Sequence, residues 1–254
     1  IMAELLLELY SEEIPPQLQI AARSQIKQLI ENAFEEENIK YKELYVYSSP
    51  TRLTLLVEDL TEKIKIKAKE IKGPKVGSPD QVIQGFLRSK KVSHTDLIEK
   101  NTDKGKFYFI KTQPQSILVG DLLSKIIPNV IRSINWKKSM KWSDYNLLWG
   151  RPLRSIFASF NKKKLLFNYE HLSATDEIII EQDLVTKTKK IKDFKDYLNF
   201  LKTNKIIIDH KERERIILKK ISLFSQSKQY KENLNSRLLE EVVNIVEDPN
   251  LLHI

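Results

Sequence analysis

Apolar positions along the first sixty residues change period several times, and each change marks an element. Residues 3–10, AELLLELY, are apolar almost throughout and predict a buried strand. A turn follows at Ser11-Glu12-Glu13-Ile14-Pro15-Pro16. Proline is tolerated in a first helical turn, and the two carboxylates suit the positive end of a helix. Leu18, Ala22, Ile26, Leu29, Ile30, Ala33 and Phe34 then recur at helical spacing, until the acidic run 35–37 ends the helix. Residues 41–48 and 53–60 predict strands around the turn Ser49-Pro50-Thr51-Arg52. This β-α-β-β order predicts an α+β sheet with a helix on one face.

Residues 62–72 alternate Lys with Ile or Ala, the pattern of a single strand with one wet face, broken by Pro74, Gly77 and Pro79. A short helix is expected over 82–89 and a strand over 106–112. Val119, Leu122, Leu123, Ile126, Ile127, Val130, Ile131 and Ile134 predict a strongly amphipathic helix, with a kink or break at Pro128. A strand over 153–160 follows Gly150-Arg151-Pro152, and residues 161–164 predict a hairpin-like turn. Beyond Tyr169 the pattern becomes helical. One stripe is Ile191, Phe194, Tyr197, Leu198 and Leu201, a second helix covers 211–224, and Leu238, Leu239, Val242, Val243 and Val246 form the last. The expected architecture is α+β: a mixed, largely antiparallel sheet with packed helices over 1–168, then a mainly helical region over 169–254. With Glu247-Asp248-Pro249 so near the last residue and no terminal signal, that region is expected to be truncated.

Composition narrows the chemistry. The chain has 254 residues, with 43 Lys and Arg against 34 Asp and Glu, a net charge of +9. Residues 125–164 alone hold ten Lys or Arg and one acid, so the rest of the chain sums to zero. All three tryptophans, Trp136, Trp142 and Trp149, fall there too. Basic residues beside aromatics suit a polyanion such as nucleic acid, because phosphates need cations on one surface and rings can stack on unpaired bases. Lys137, Lys138, Lys141, Arg151 and Arg154 flank the tryptophans and are the candidate phosphate contacts. The alternative is that the lysines face water while the tryptophans anchor a core.

Much else is excluded. Zero cysteines rule out disulfides, thiolate zinc sites and cysteine nucleophiles. No apolar run approaches the ~20 residues that span a bilayer, and the N-terminus is no secretory signal, which fits a cytoplasmic chain and no membrane partner. Neither GxxxxGK[ST] nor GxGxxG occurs among the six glycines. His94, His171, His210 and His253 lack metal-ligand spacing, so no metal site is expected. Asp209-His210 beside Lys211-Glu212-Arg213 is read as a capped helix start rather than acid–base machinery. No cofactor-binding or catalytic residue is expected within the chain.

Several motifs, in order, resemble the β subunit of the bacterial two-subunit glycyl-tRNA synthetase. AELLLELYSEEIPP resembles the family's opening strand and its E-E-[LI]-P turn. YSSPTRLTLLVEDL is similar to its T-P-R-R-L-A segment, with Ser49 and Thr51 as departures. IKGP and IQGFLRS resemble K-G-P and a downstream G-F, with a shorter stretch between them than the family's usual insertion. KGKFYF, SMKW, GRPLRSIFASF, IIIDHKERERII and LLEEVVNIVEDP each have a counterpart, whereas YEHLSATDEIII lacks an arginine that the family usually carries nearby. The resemblance covers the N-terminal part of a longer subunit. It implies a share in tRNA binding and assembly of an α2β2 glycine–tRNA ligase. It also implies that ATP, with Mg, activates glycine in the α subunit. The implied partners are that α subunit and glycine tRNA, not DNA. Arg52 is left with two readings, RNA contact or a lock on its own turn. Lys162–164 match no motif and are read as a solvated turn. The alternative for the whole chain is a purely structural subunit-interaction module without RNA contact.

Overall fold

The computed structural model describes residues 2–66, 68–141, 147–182 and 184–250. The chain divides into two compact units, one formed by Ile1–Glu62 with Val119–Ile254, the other by Lys63–Leu118. The first unit opens with β1 (Met2–Ser11), α1 (Pro16–Glu36), β2 (Glu43–Ser49) and β3 (Arg52–Thr61). The second contains β4 (Lys63–Ile66), β5 (Glu70–Lys75), α2 (Asp80–Lys90), β6 (Leu97–Thr102), β7 (Gly105–Lys111) and β8 (Gln115–Leu118). The first unit resumes with α3 (Val119–Ser133), β9 (Leu153–Phe160), β10 (Lys163–Lys164), β11 (Asn168–Tyr169), β12 (Leu172–Thr175), β13 (Glu177–Gln182) and β14 (Val185–Lys190). It then adds α4 (Phe194–Thr203), α5 (His210–Lys228) and α6 (Ser236–Ile245). The class is α+β with mostly antiparallel strands.

In the first unit β1 is an inner strand of the order β11-β12-β9-β1-β3-β2, with β10 pairing β9. Among the described residues only the β12–β9 pair is parallel. Leu5, Leu6, Leu7 and Leu9 are all buried, so both faces of β1 are covered. That explains a continuous apolar run in place of alternation. Leu6 joins Phe157, Ile178, Ile180, Ile191, Tyr197, Leu201, Ile206 and Ile208 in one core cluster. Burying a Leu or Ile side chain there contributes about 1.5–3 kcal/mol. α1 packs along β2 and β3 and buries Ala22, Ile26, Ile30 and Phe34.

Three expectations change. α3 continues unbroken through Pro128. Burial of Val119, Leu123, Ile126, Ile127, Val130 and Ile131 holds it past the one hydrogen bond that proline cannot make. The Lys–Ile alternation of 62–72 forms two strands, because β4 pairs with β8 whereas β5 pairs with β7. Helices begin only at Phe194: β12, β13 and β14 come between Tyr169 and that point. EIIIEQ alternates, with Ile178 and Ile180 facing the core. The 161–164 turn is a two-residue hairpin loop. Asn161 and Lys162 have φ of 48° and 63°, the left-handed pair of a type I′ turn.

Candidate functional site

Most of the family-like motifs of the first unit meet at one place. The SEEIPP turn is bonded to two others: Ser11 N–H to Thr51 O at 2.9 Å, Ile14 N–H to Pro50 O at 2.7 Å, and Glu12 N–H to Pro152 O at 3.0 Å. Arg151 Nε donates to Glu13 O at 3.1 Å. Glu247, after α6, accepts from Ser49 Oγ at 2.7 Å and from Thr51 Oγ1 at 3.1 Å. The Ile207 N–H reaches Glu247 O at 3.0 Å. Motifs far apart in sequence are thus joints between elements.

Arg52 lies at the centre and is 2% exposed. Its Nε sits 3.2 Å from Glu8 Oε2 without the alignment of a hydrogen bond, so that contact is an ion pair. Nη1 donates to Thr51 Oγ1 at 2.7 Å and lies 3.7 Å from Glu247. Nη2 donates to Ile179 O, and the guanidinium lies 4.7 Å from the Tyr10 ring centroid. Tyr197 OH donates to Glu8 Oε2 at 2.6 Å and accepts from Thr54 Oγ1 at 2.8 Å. Burial pushes the Glu8 carboxyl above its ordinary range, although Arg52 and Tyr197 pull the other way. Of the two readings of Arg52, this geometry serves the internal lock. Arg213, fully buried, is a second lock and donates to Val243 O, Ile207 O and Ile208 O.

The basic candidates lie elsewhere. Lys137, Lys138 and Lys141 are exposed. Their segment is pinned at two points. Asn135 exchanges hydrogen bonds with the Gln25 side chain at 2.8 and 3.0 Å, and Met140 N–H reaches Trp149 O at 2.9 Å. Trp149 is 1% exposed and packs on Trp136 with centroids 4.7 Å apart. Gly150 lies beneath Trp136, where a Cβ would come within 2.5 Å of the ring. Trp149 anchors the segment and offers no stacking face, while the half-buried Trp136 is backed by Gly150. Trp142 lies outside the described residues. Arg151 is half-buried and its Nη1 is 3.8 Å from Met140 Sδ. Arg154 is exposed but faces Glu181 at 3.2 Å and Glu12 at 3.8 Å. Lys162 pairs with Asp193 at 3.5 Å, while Lys163 and Lys164 are exposed.

A cleft of about 460 Å³ is lined by Arg23, His210, Glu214, Arg237 and Glu240, among others. Its cations and carboxylates balance, and no glycine-rich backbone cradle borders it. Among the described residues no His, Cys, Asp or Glu cluster is placed to hold a metal. No helix among them is long and apolar enough to cross a membrane. His210 is held down at about 4, first by burial and then by Arg23; Asp209 opposes this, and Arg213 and Lys211 add to it. Its pKa is lower folded than unfolded, so the stability it contributes is complete above pH 6.5 and is lost as pH falls towards 4. Acidification across that window would remove about 3 kcal/mol for a fully buried imidazole, and about 2 kcal/mol once solvent screening of the partly exposed ring is allowed for. His210→Gln should flatten this slope in urea midpoints measured against pH.

The sequence model for the glycyl-tRNA synthetase beta subunit matches residues 5–253, and the chain belongs to that family. Glycine–tRNA ligase beta subunits of Rickettsia felis, Rickettsia bellii and Rickettsia typhi are 34%, 35% and 36% identical to it. Each alignment covers 99% of this chain and 38% of the relative, so the chain spans little more than a third of their length.

Proposed function

We propose that this chain contributes tRNA binding and subunit assembly to an α2β2 glycine–tRNA ligase acting in the cytoplasm. In this reading ATP and Mg serve adenylation in the α subunit, and the polyanion is glycine tRNA. The observation that carries it is the exposed trio Lys137, Lys138 and Lys141 on a segment pinned by Gln25 and by the Trp136–Trp149 pair. A fixed base lowers the entropy lost when lysines settle on phosphates. Arg151 extends the surface. Arg154, already facing two carboxylates, is its weakest member.

Each phosphate contact contributes about 0.9 to the slope of log affinity against log salt on duplex. Lys137→Gln/Lys138→Gln/Lys141→Gln is expected to lower that slope by about 2–3 in filter binding with glycine tRNA. An unchanged slope would place the tRNA contact elsewhere. A protein-docking role has separate support in Leu223, Leu238 and Ile245, each 58% exposed on α5 and α6. Co-purification with the α subunit that survives ribonuclease and is lost in Leu223→Asp/Leu238→Asp would establish that role.

A further inference from the structure

Outside residues 125–164 the charges sum to zero, but they are unevenly spread. Residues 63–118 carry thirteen Lys or Arg against five Asp or Glu, a surplus of eight. They form the second compact unit. Its three-stranded sheet, β5-β7-β6, has two unlike faces.

Register defines them, because paired residues point the same way and neighbours along a strand point oppositely. Ile71 and Leu97 both pair with Ile110. On that face lies α2, with Ile83 and Leu87 buried. Its Phe86 sits so close to Gly73 that a Cβ there would come within 2.6 Å of the ring. Phe107 and Phe109 occupy the other face. They pair with Lys100 and Ile98 of β6, and with Lys75 and Lys72 of β5. Lys111 follows at the next position of the same face. Lys72, Lys75 and Lys111 are exposed, Ile98 is 43% exposed, and both phenylalanines are half-buried.

Ammonium groups lie over both rings. The Lys72 ammonium lies 3.6 Å from the Phe107 centroid, and that of Lys100 lies 5.8 Å from the Phe109 centroid. Lys100 is also held by Glu70, at 2.6 and 2.7 Å, the residue opposite Lys111 on this face. An anionic ligand that stacks on Phe107 takes the place of the Lys72 ammonium and offers it a phosphate. Alternate residues of one strand stand about 6.7 Å apart, which suits successive bases of an extended chain. We propose that this face binds unpaired RNA. Phe107 and Phe109 each stack one base, and Lys72, Lys75 and Lys111 take the adjoining phosphates. Stacking accounts for the aromatic pair, and the surplus of eight positive charges accounts for a polyanion. The choice of RNA rests on the tRNA reading above.

The test measures binding of the full 254-residue chain by fluorescence anisotropy. The probes are a mixed-sequence single-stranded RNA 12-mer, the same sequence as duplex, glycine tRNA, and an acidic peptide. Phe107→Leu/Phe109→Leu is expected to weaken the single strand roughly 10- to 100-fold. Phe107→Tyr/Phe109→Tyr should restore it with an unchanged melting temperature. Lys72→Gln/Lys75→Gln/Lys111→Gln should lower the salt slope by about 2 while leaving the rings in place. The inference is overturned if the leucine pair binds the 12-mer like the parent. It is also overturned if duplex binds as well as single strand, or if the acidic peptide shows the same ring dependence. Ring-dependent binding of the 12-mer without tRNA binding would support the platform and sink the tRNA reading. Loss of tRNA through Lys137, Lys138 and Lys141, with no effect of the rings on either RNA, would do the reverse.

Discussion

Arg52→Met is expected to destabilise the chain by about 3–5 kcal/mol, because it leaves the Glu8 carboxylate buried without its cation. Glu8 and Arg52 are both all but inaccessible, and the guanidinium also ties Thr51, Glu247 and Ile179 together. The deficit should depend on pH. Burial already raises Glu8 above 4.5, and losing Arg52 raises it further. A carboxyl raised in the folded state withdraws stability as pH climbs from its unfolded value through its folded one. The variant's deficit is therefore smallest below pH 4.5 and grows as pH rises. Adding Glu8→Gln should remove that growth. Urea denaturation of the parent, the single variant and the double variant at several pH values measures this. A deficit of the same size at pH 4 and pH 8 would mean that Glu8 is not the group left uncompensated.

Arg213→Leu is the second large effect, expected at about 3 kcal/mol. A hydrogen bond from a charged donor is worth about 1.5–3 kcal/mol, and buried carbonyls left without one add their own penalty. Arg213 serves three: Val243 O at 2.9 Å, Ile207 O at 2.6 Å and Ile208 O at 3.2 Å. These bonds join α5 to the end of α6 and to the Ile207–Ile208 segment before α5. Arg213→Lys should recover little, since a single ammonium cannot reproduce the planar fork. Native-state hydrogen exchange separates this from a general loss of stability. Protection should fall first in α6, because Val243 O is the anchor of that helix to α5. Uniform loss across β1 and β9 as well would show that Arg213 supports the whole core.

Much of the fold was legible because burial leaves a period in the sequence. β1, β2, β3, α1, α3 and β9 follow apolar patterns set by the faces they bury. The exceptions have a common physical origin in pairing, which no periodicity records. Residues 62–72 alternate as one strand would, yet two different partners divide them. Ile178 and Ile180 alternate within a run too short to distinguish from the helical texture that follows. The candidate site shows the same limit more sharply. Lys137, Lys138 and Lys141 could be placed on a surface from charge alone, and the structure exposes them. Trp136 and Trp149 could not be assigned, since a ring that stacks on a base and a ring that anchors a loop have the same composition. In sequence Arg52 has two readings, RNA contact or a lock on its own turn, and Arg213 belongs to a capped helix start; neither reading supplies Glu8 or the carbonyls of Ile207, Ile208 and Val243 as partners. Glu8 was the available signal: an acid in a buried run needs a buried partner.

One backbone hydrogen bond, from Val119 N–H to Glu62 O at 2.9 Å, closes the point where the chain leaves the first unit and returns to it. Immediately beyond, β4 and β8 run side by side. Residues 63–118 therefore begin and end next to one hydrogen-bonded pair of the first unit. Loop closure depends weakly on length, so material can be gained, lost or exchanged between these anchors with little consequence for the core. Such a junction lets natural selection alter the inserted segment independently of the scaffold that carries it. It also makes residues 63–118 a practical cassette for transplantation into another host protein.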